Sequence, residues 1–138
     1  MSAWLSPSPF GGETTVEDSL REDIGSGDIT SGIIPEATMV EWYIEGQGPG
    51  VVSGLGIVEY LFQPSEDRDE IEILAKDGDQ VSDGMILARG KLSAREALQF
   101  ERTALNFLMH MSGIATATSH YVEKVRHTKA RIVDTRKT

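Results

Sequence analysis

The chain has 138 residues, 39% of them hydrophobic and 25% charged, a length and balance that suit one soluble domain or one domain plus part of another. It has no cysteine, which excludes disulfides, thiolate metal sites and thiol chemistry. The net charge of −9 argues against bulk binding to nucleic acid or anionic membranes, and no apolar stretch approaches the ~20 residues of a membrane span.

The charge is unevenly placed. Residues 1–90 hold four basic side chains against eighteen acids, whereas residues 91–138 hold nine basic against four acidic. The basic end suits local recognition of a small anion, and it equally suits an exposed basic surface.

Residues 1–13 are rich in Ser, Pro and Gly and read as a mobile leader without the features of a signal peptide, so a cytoplasmic location is expected. A helix is predicted over Thr15 to Glu22, capped by Thr14 or Thr15 and ended by Gly25-Ser26-Gly27-Asp28. Met39 to Glu45 alternates as a strand. The glycine cluster Gly46 to Gly50 is a loop, and Val51 to Ser53 is a short strand. Gly54-Leu55-Gly56 opens a helix through Ile57, Leu61 and Phe62, and residues 64–69 form an acidic loop.

A β module is expected next. Ile71 to Ala75 is a strand, Asp77-Gly78 and Asp83-Gly84 are turns on either side of Val81, and Met85 to Ala88 returns until Gly90 ends it. Ser93 and Glu96 have the spacing of a capping box, and a helix follows to about Met111. On it Arg95, Gln99, Arg102 and Asn106 share one side, while apolar residues cover nearly all the rest. This pattern predicts a buried helix with one polar stripe, which must find partners or face a cavity.

Ser112-Gly113 is expected to break the helix. A second helix runs from about Ile114 to Arg126, its small residues suiting close packing. Ile132-Val133 then reads as the end of a buried strand. Asp134-Thr135-Arg136-Lys137-Thr138 follows. Arg can grip a carboxylate or phosphate with two parallel bonds and Lys adds a point charge, so a strand end of this kind is a candidate anion site. A surface ion-pair cluster fits the same five residues. His110, His120 and His127 have no metal spacing and read as packing or surface. There is no Walker loop or dinucleotide fingerprint. The hairpins around Val81 have the turns of a carrier module but lack a lysine between Val81 and Met85, which argues against a swinging arm.

Several motifs occur together in order: Glu22-Asp23-Ile24-Gly25-Ser26-Gly27-Asp28-Ile29-Thr30-Ser31, Gly50 to Leu55, Asp77-Gly78 through Gly84, Glu101 to Leu108, Ser112 to Thr116, and Asp134 to Thr138. Over residues 14–138 the chain resembles the quinolinate phosphoribosyltransferase family of NAD synthesis. The resemblance implies an α+β fold: an N-terminal α/β sandwich domain over residues 14–111, then the first βα elements of an α/β barrel over 112–138, with the barrel left incomplete. It implies conversion of quinolinate and phosphoribosyl pyrophosphate to nicotinate mononucleotide, pyrophosphate and CO2, with Mg²⁺ accompanying the phosphates. It also implies a homodimer that offers Arg102 across its interface to a quinolinate carboxylate. Thr135 and Arg136 would bind substrate within their own subunit. Lys137 would line the same anionic pocket and act as the catalytic cation. The family's later strands supply further site residues, so this chain by itself is expected to be inactive. A relative of the same fold associated with molybdenum transport, and a non-catalytic dimerising fragment, are the alternatives.

Overall fold

A computed structural model describes residues 13–25, 31–35, 37–63 and 71–135. Residues 1–12 of the leader, the acidic loop at 64–69, most of the Gly25–Asp28 break and residues 136–138 lie outside them, while Glu13 begins the first helix.

Helix α1 spans Glu13–Ile24, so Thr14 and Thr15 lie within it rather than capping it. It ends where Gly25 takes a φ of 56° and donates its amide to the Arg21 carbonyl at 3.0 Å. Strand β1, Met39–Glu45, has the expected bounds and alternation. It turns Val40, Trp42 and Ile44 inward. β2 is Gly50–Val51, α2 is Leu55–Phe62, β3 is Glu72–Ile73 and β4 is Gln80–Val81. β2 starts one residue before the expected strand and ends before Ser53, β3 lies within the expected Ile71–Ala75, and β4 is a strand where the sequence showed only Val81 between two turns.

β5, Ile86–Ser93, runs straight through Gly90, contrary to the sequence expectation. Gly90 sits opposite Trp42 in the ladder, and a Cβ there would lie 3.0–3.2 Å from three atoms of the indole. Glycine is thus required by the close approach of a ring and marks no strand end. The strands form an antiparallel sheet in the order β1-β5-β3, with β2 and β4 as a separate antiparallel pair.

Helix α3 is continuous over Ala94–Val125, a single helix of 32 residues where two were expected. Its start is the capping box read from the sequence. Ser93 Oγ accepts the Glu96 amide at 3.2 Å and donates to Glu96 Oε2 at 2.8 Å. The expected break at Ser112-Gly113 does not occur. One glycine inside a helix costs only about 1 kcal/mol relative to alanine, and hydroxyls on either side of it tie the helix down. Val51 donates its amide to Thr116 Oγ1 at 2.8 Å, and Ser53 donates to Ser112 Oγ at 2.9 Å.

α3 is also not buried all round. It presents Ala94, Phe100, Thr103, Ala104 and Leu108 to the core, while Leu98 (44% exposed), Met109 (62%), Ile114 (56%) and Tyr121 (61%) face outward. The core lies between this stripe, α2 and the inner face of the sheet. Val16, Val52, Val58, Leu61 and Leu92 are essentially inaccessible. Each such side chain contributes about 1.5–3 kcal/mol by its burial. Phe62 joins the layers. Its ring centroid is 4.5 Å from that of Trp42 on the sheet and 5.7 Å, edge-on, from that of Phe100 on α3.

After α3 the predicted strand at Ile132-Val133 is absent. Residues 130–135 are irregular and both side chains are exposed. A strand needs a hydrogen-bonded neighbour, and no described strand pairs with this segment.

Candidate functional site

On the solvent side of α3, Arg102, Asn106 and His110 follow one another at four-residue spacing and so stand along one face of the helix. With Thr103 and Phe107 they form one wall of an open cleft of about 800 Å³, and Ser19, Glu22 and Asp23 of α1 form the other. The two helices are held together by the core. Val16 of α1 is 1% exposed, and Tyr60 of α2 donates its hydroxyl to Glu17 Oε1 at 3.0 Å.

Within the cleft Arg102 Nη1 donates to Asp23 Oδ1 at 2.9 Å. The Arg102 side chain is 74% exposed and that of Asp23 is 24% exposed. Arg102 is therefore not the buried arginine that the polar stripe suggested. Its pair is local to this chain. Arg95, on the same stripe, is satisfied separately through Nε, which donates to the Ile34 carbonyl at 2.8 Å. An exposed pair of the Arg102–Asp23 kind contributes about 0–1 kcal/mol to stability, so its presence is not explained by stability.

Of the predicted site residues, Arg102 is the one that lines this cleft among the described residues. Thr135 is exposed on the irregular segment after α3 and does not line the cleft, while Arg136 and Lys137 lie outside the described residues. Conversely, Ser19, Glu22, Asp23 and His110 border Arg102 although they were not read as site residues. His110 stands about 80° round the helix from Arg102, just beyond the stripe as drawn, so a wider sector would have included it. Nothing local in Glu22-Asp23 shows that it meets α3, since the Asp23–Arg102 pair spans 79 residues.

With one nitrogen bonded to Asp23, the Arg102 guanidinium keeps donors that can grip a carboxylate in this cleft. Among the described residues no three His, Asp or Glu side chains converge on a point that could hold a metal ion, so these residues do not form a cage for Mg²⁺.

A second cavity of about 510 Å³ lies between the Gly46–Gly50 loop and the Leu105, Leu108 and Met109 side of α3. It has no basic side chain and does not suit an anion. None of the described helices is long and apolar enough to cross a membrane.

Comparison with known proteins agrees with the resemblance read from the sequence. Residues 28–112 match the sequence model of the quinolinate phosphoribosyl transferase N-terminal domain. The chain is 38% identical over 128 residues to the carboxylating nicotinate-nucleotide pyrophosphorylase of Mycobacterium leprae, covering 90% of this chain and 45% of that protein. The crystal structure of nicotinate-nucleotide pyrophosphorylase from Ehrlichia chaffeensis superposes with a TM-score of 0.88 at 36% identity, over 94% of this chain and 48% of that one. The corresponding protein of Francisella tularensis gives a TM-score of 0.82 at 29% identity, over 91% of this chain and 44% of that one. The chain thus spans a little under half the length of the relatives it matches. With an α+β fold common to these neighbours and a family match across most of its length, the chain belongs to the quinolinate phosphoribosyltransferase family, whose N-terminal domain it carries.

Proposed function

We propose that this chain serves phosphoribosyl transfer to quinolinate in NAD synthesis, as the part of the catalytic unit that presents Arg102. The observation that carries this reading is the exposed guanidinium of Arg102, held at the mouth of an open cleft on the family's N-terminal domain. An arginine set aside for the chain's own stability would be satisfied inward, as Arg95 is.

In this reading two copies pair, and each offers Arg102 to a quinolinate carboxylate held by its partner. Thr135 and Arg136 bind the substrate from within their own subunit, and Lys137 lines the anionic pocket. Quinolinate carries two carboxylates, and two arginines arriving from opposite sides fit that charge. The pyridine nitrogen attacks the anomeric carbon of phosphoribosyl pyrophosphate, and the bond to pyrophosphate breaks with its electron pair leaving on oxygen. Cations near the leaving group stabilise that developing charge. Loss of the 2-carboxylate as CO2 then leaves an electron pair on the ring carbon, which Lys137 stabilises electrostatically until a proton is taken up. Mg²⁺ would enter with the phosphates of the second substrate and supply charge neutralisation there. The setting for this chemistry is the cytoplasm.

A chimera tests the reading. This chain replaces the matched part of the Mycobacterium leprae relative, and formation of nicotinate mononucleotide is followed. Arg102→Ala lowers kcat/KM for quinolinate at least about 30-fold, the usual minimum for removing one partner of a charge pair. An Arg102→Ala chimera that handles quinolinate like its parent contradicts the assignment.

A further inference from the structure

We infer that Asp23 is a positioning residue for Arg102: it holds the guanidinium by one nitrogen and so leaves the others aimed outward for a carboxylate. The inference rests on the reading of Arg102 as a substrate ligand and adds the residue that prepares it.

Three observations carry it. The first is the contact itself, a single bond from Nη1 to Asp23 Oδ1 at 2.9 Å, and no other hydrogen bond of Arg102 is made among the described residues. A guanidinium has five donors in a planar fork, so one bond at one end restricts its orientation and leaves donors for a second acceptor. The second is where Asp23 stands. It occupies the last turn of α1, next to the helix end. Carboxylates are disfavoured at that end because it carries the negative pole of the helix dipole. Helix stability does not favour an acid at this position, and the carboxylate of Asp23 is instead matched by the Arg102 cation 79 residues away. The third is rigidity. α1 is docked through the buried Val16 and through the Tyr60–Glu17 hydrogen bond, and Asp23 is carried on the same helix while Arg102 is 74% exposed. A long exposed arginine otherwise samples many rotamers, and a substrate that binds it must first immobilise it. Asp23 restricts that freedom beforehand.

The opposite role, in which Asp23 competes with substrate for Arg102, fits the geometry less well, because the pair occupies only one guanidinium nitrogen. The two roles have opposite signs in an experiment. In the chimera, Asp23→Asn raises KM for quinolinate about 3- to 10-fold and leaves kcat and KM for phosphoribosyl pyrophosphate unchanged. Asp23→Glu restores part of the loss. Asp23→Asn adds nothing when Arg102 is already Ala, because it acts only through Arg102.

A fall in KM with Asp23→Asn overturns the inference in favour of competition. A loss of kcat together with thermal stability overturns it in favour of a merely structural role. If Arg102→Ala leaves KM for quinolinate unchanged, the assignment of Arg102 itself fails, and the positioning role fails with it. If Arg102→Ala raises KM and Asp23→Asn does not, only the positioning role fails.

A second measurement needs no activity. In the 138-residue chain, rotation of the Arg102 guanidinium about its Cζ–Nε bond, followed by nitrogen NMR, is slowed in the parent and becomes free in Asp23→Asn. Equal rates in the two contradict the inference.

Discussion

The Thr116 hydroxyl accepts the Val51 amide at 2.8 Å, joining α3 to β2 across 65 residues of sequence. Ser112, one turn earlier, does the same for Ser53 at 2.9 Å and also donates to the Ser53 carbonyl at 3.2 Å. Among the described residues β2 pairs with β4 alone, and the two hydroxyls satisfy backbone groups on the other side of β2 and of the residues that follow it. Thr116→Val keeps the shape and removes the acceptor, leaving the Val51 amide unpaired. It destabilises the chain by about 1–2 kcal/mol, towards the low end for a group only partly buried. Urea unfolding measures this. Ser112→Ala has a similar effect, and the double variant costs less than the sum because both bonds belong to one contact.

Gly54 precedes α2 with a φ of 107°, and a Cβ there would lie 3.2 Å from Met111 Sδ and 3.5 Å from Leu108 Cα. Gly78 has a similar φ of 98° but open space around it. Gly78→Ala therefore costs the backbone term, about 1–2 kcal/mol. Gly54→Ala costs that and the crowding against α3, and its urea midpoint lies below that of Gly78→Ala. Equal midpoints for the two would contradict the close packing of Gly54 on α3.

Asp77 does the work of an N-cap for α2 from a distance. Its carboxylate accepts the Gly54 amide at 3.0 Å and the Leu55 amide at 2.9 Å. It thus satisfies two of the donors that a helix start leaves open and places a negative charge at the positive pole of the helix dipole. Asp77→Ala lowers stability by about 1–2 kcal/mol, and Asp77→Asn, which keeps one oxygen acceptor, costs less. Thermal unfolding of the three chains gives the order parent, Asn, Ala.

These contacts show which parts of the fold were legible in the sequence. The β1 alternation, the α2 spacing and the Ser93–Glu96 box are local signals and appear where the residues place them. Gly90 and Gly113 misled, because a glycine is ambiguous between a break and a place of close approach or indifference. The deciding neighbours, Trp42 for Gly90 and the β2 edge beside Gly113, are remote in sequence. The apolar surround of the helix from Ser93 to about Met111 suggested burial, with apolar surface left exposed unless a partner covers it. Leu98 and Met109 face outward in this chain, since periodicity cannot distinguish a core face from one that is apolar and exposed. For the site, Arg102 and Asn106 were visible as a stripe. Asp23 was not, because ion pairs between distant elements leave no periodic trace.

The central claim is that the site is shared, with Arg102 from one copy meeting Arg136 of another. Two chimeras test it most directly, one with Arg102→Ala and one with Arg136→Ala, each nearly inactive alone. When they are unfolded and refolded together, random pairing makes half the dimers mixed, and each mixed dimer has one site with both arginines. The mixture then recovers about a quarter of the parent activity. If the refolded mixture is shown to contain mixed dimers and recovers no activity, Arg102 and Arg136 do not meet across an interface, and the shared site is contradicted.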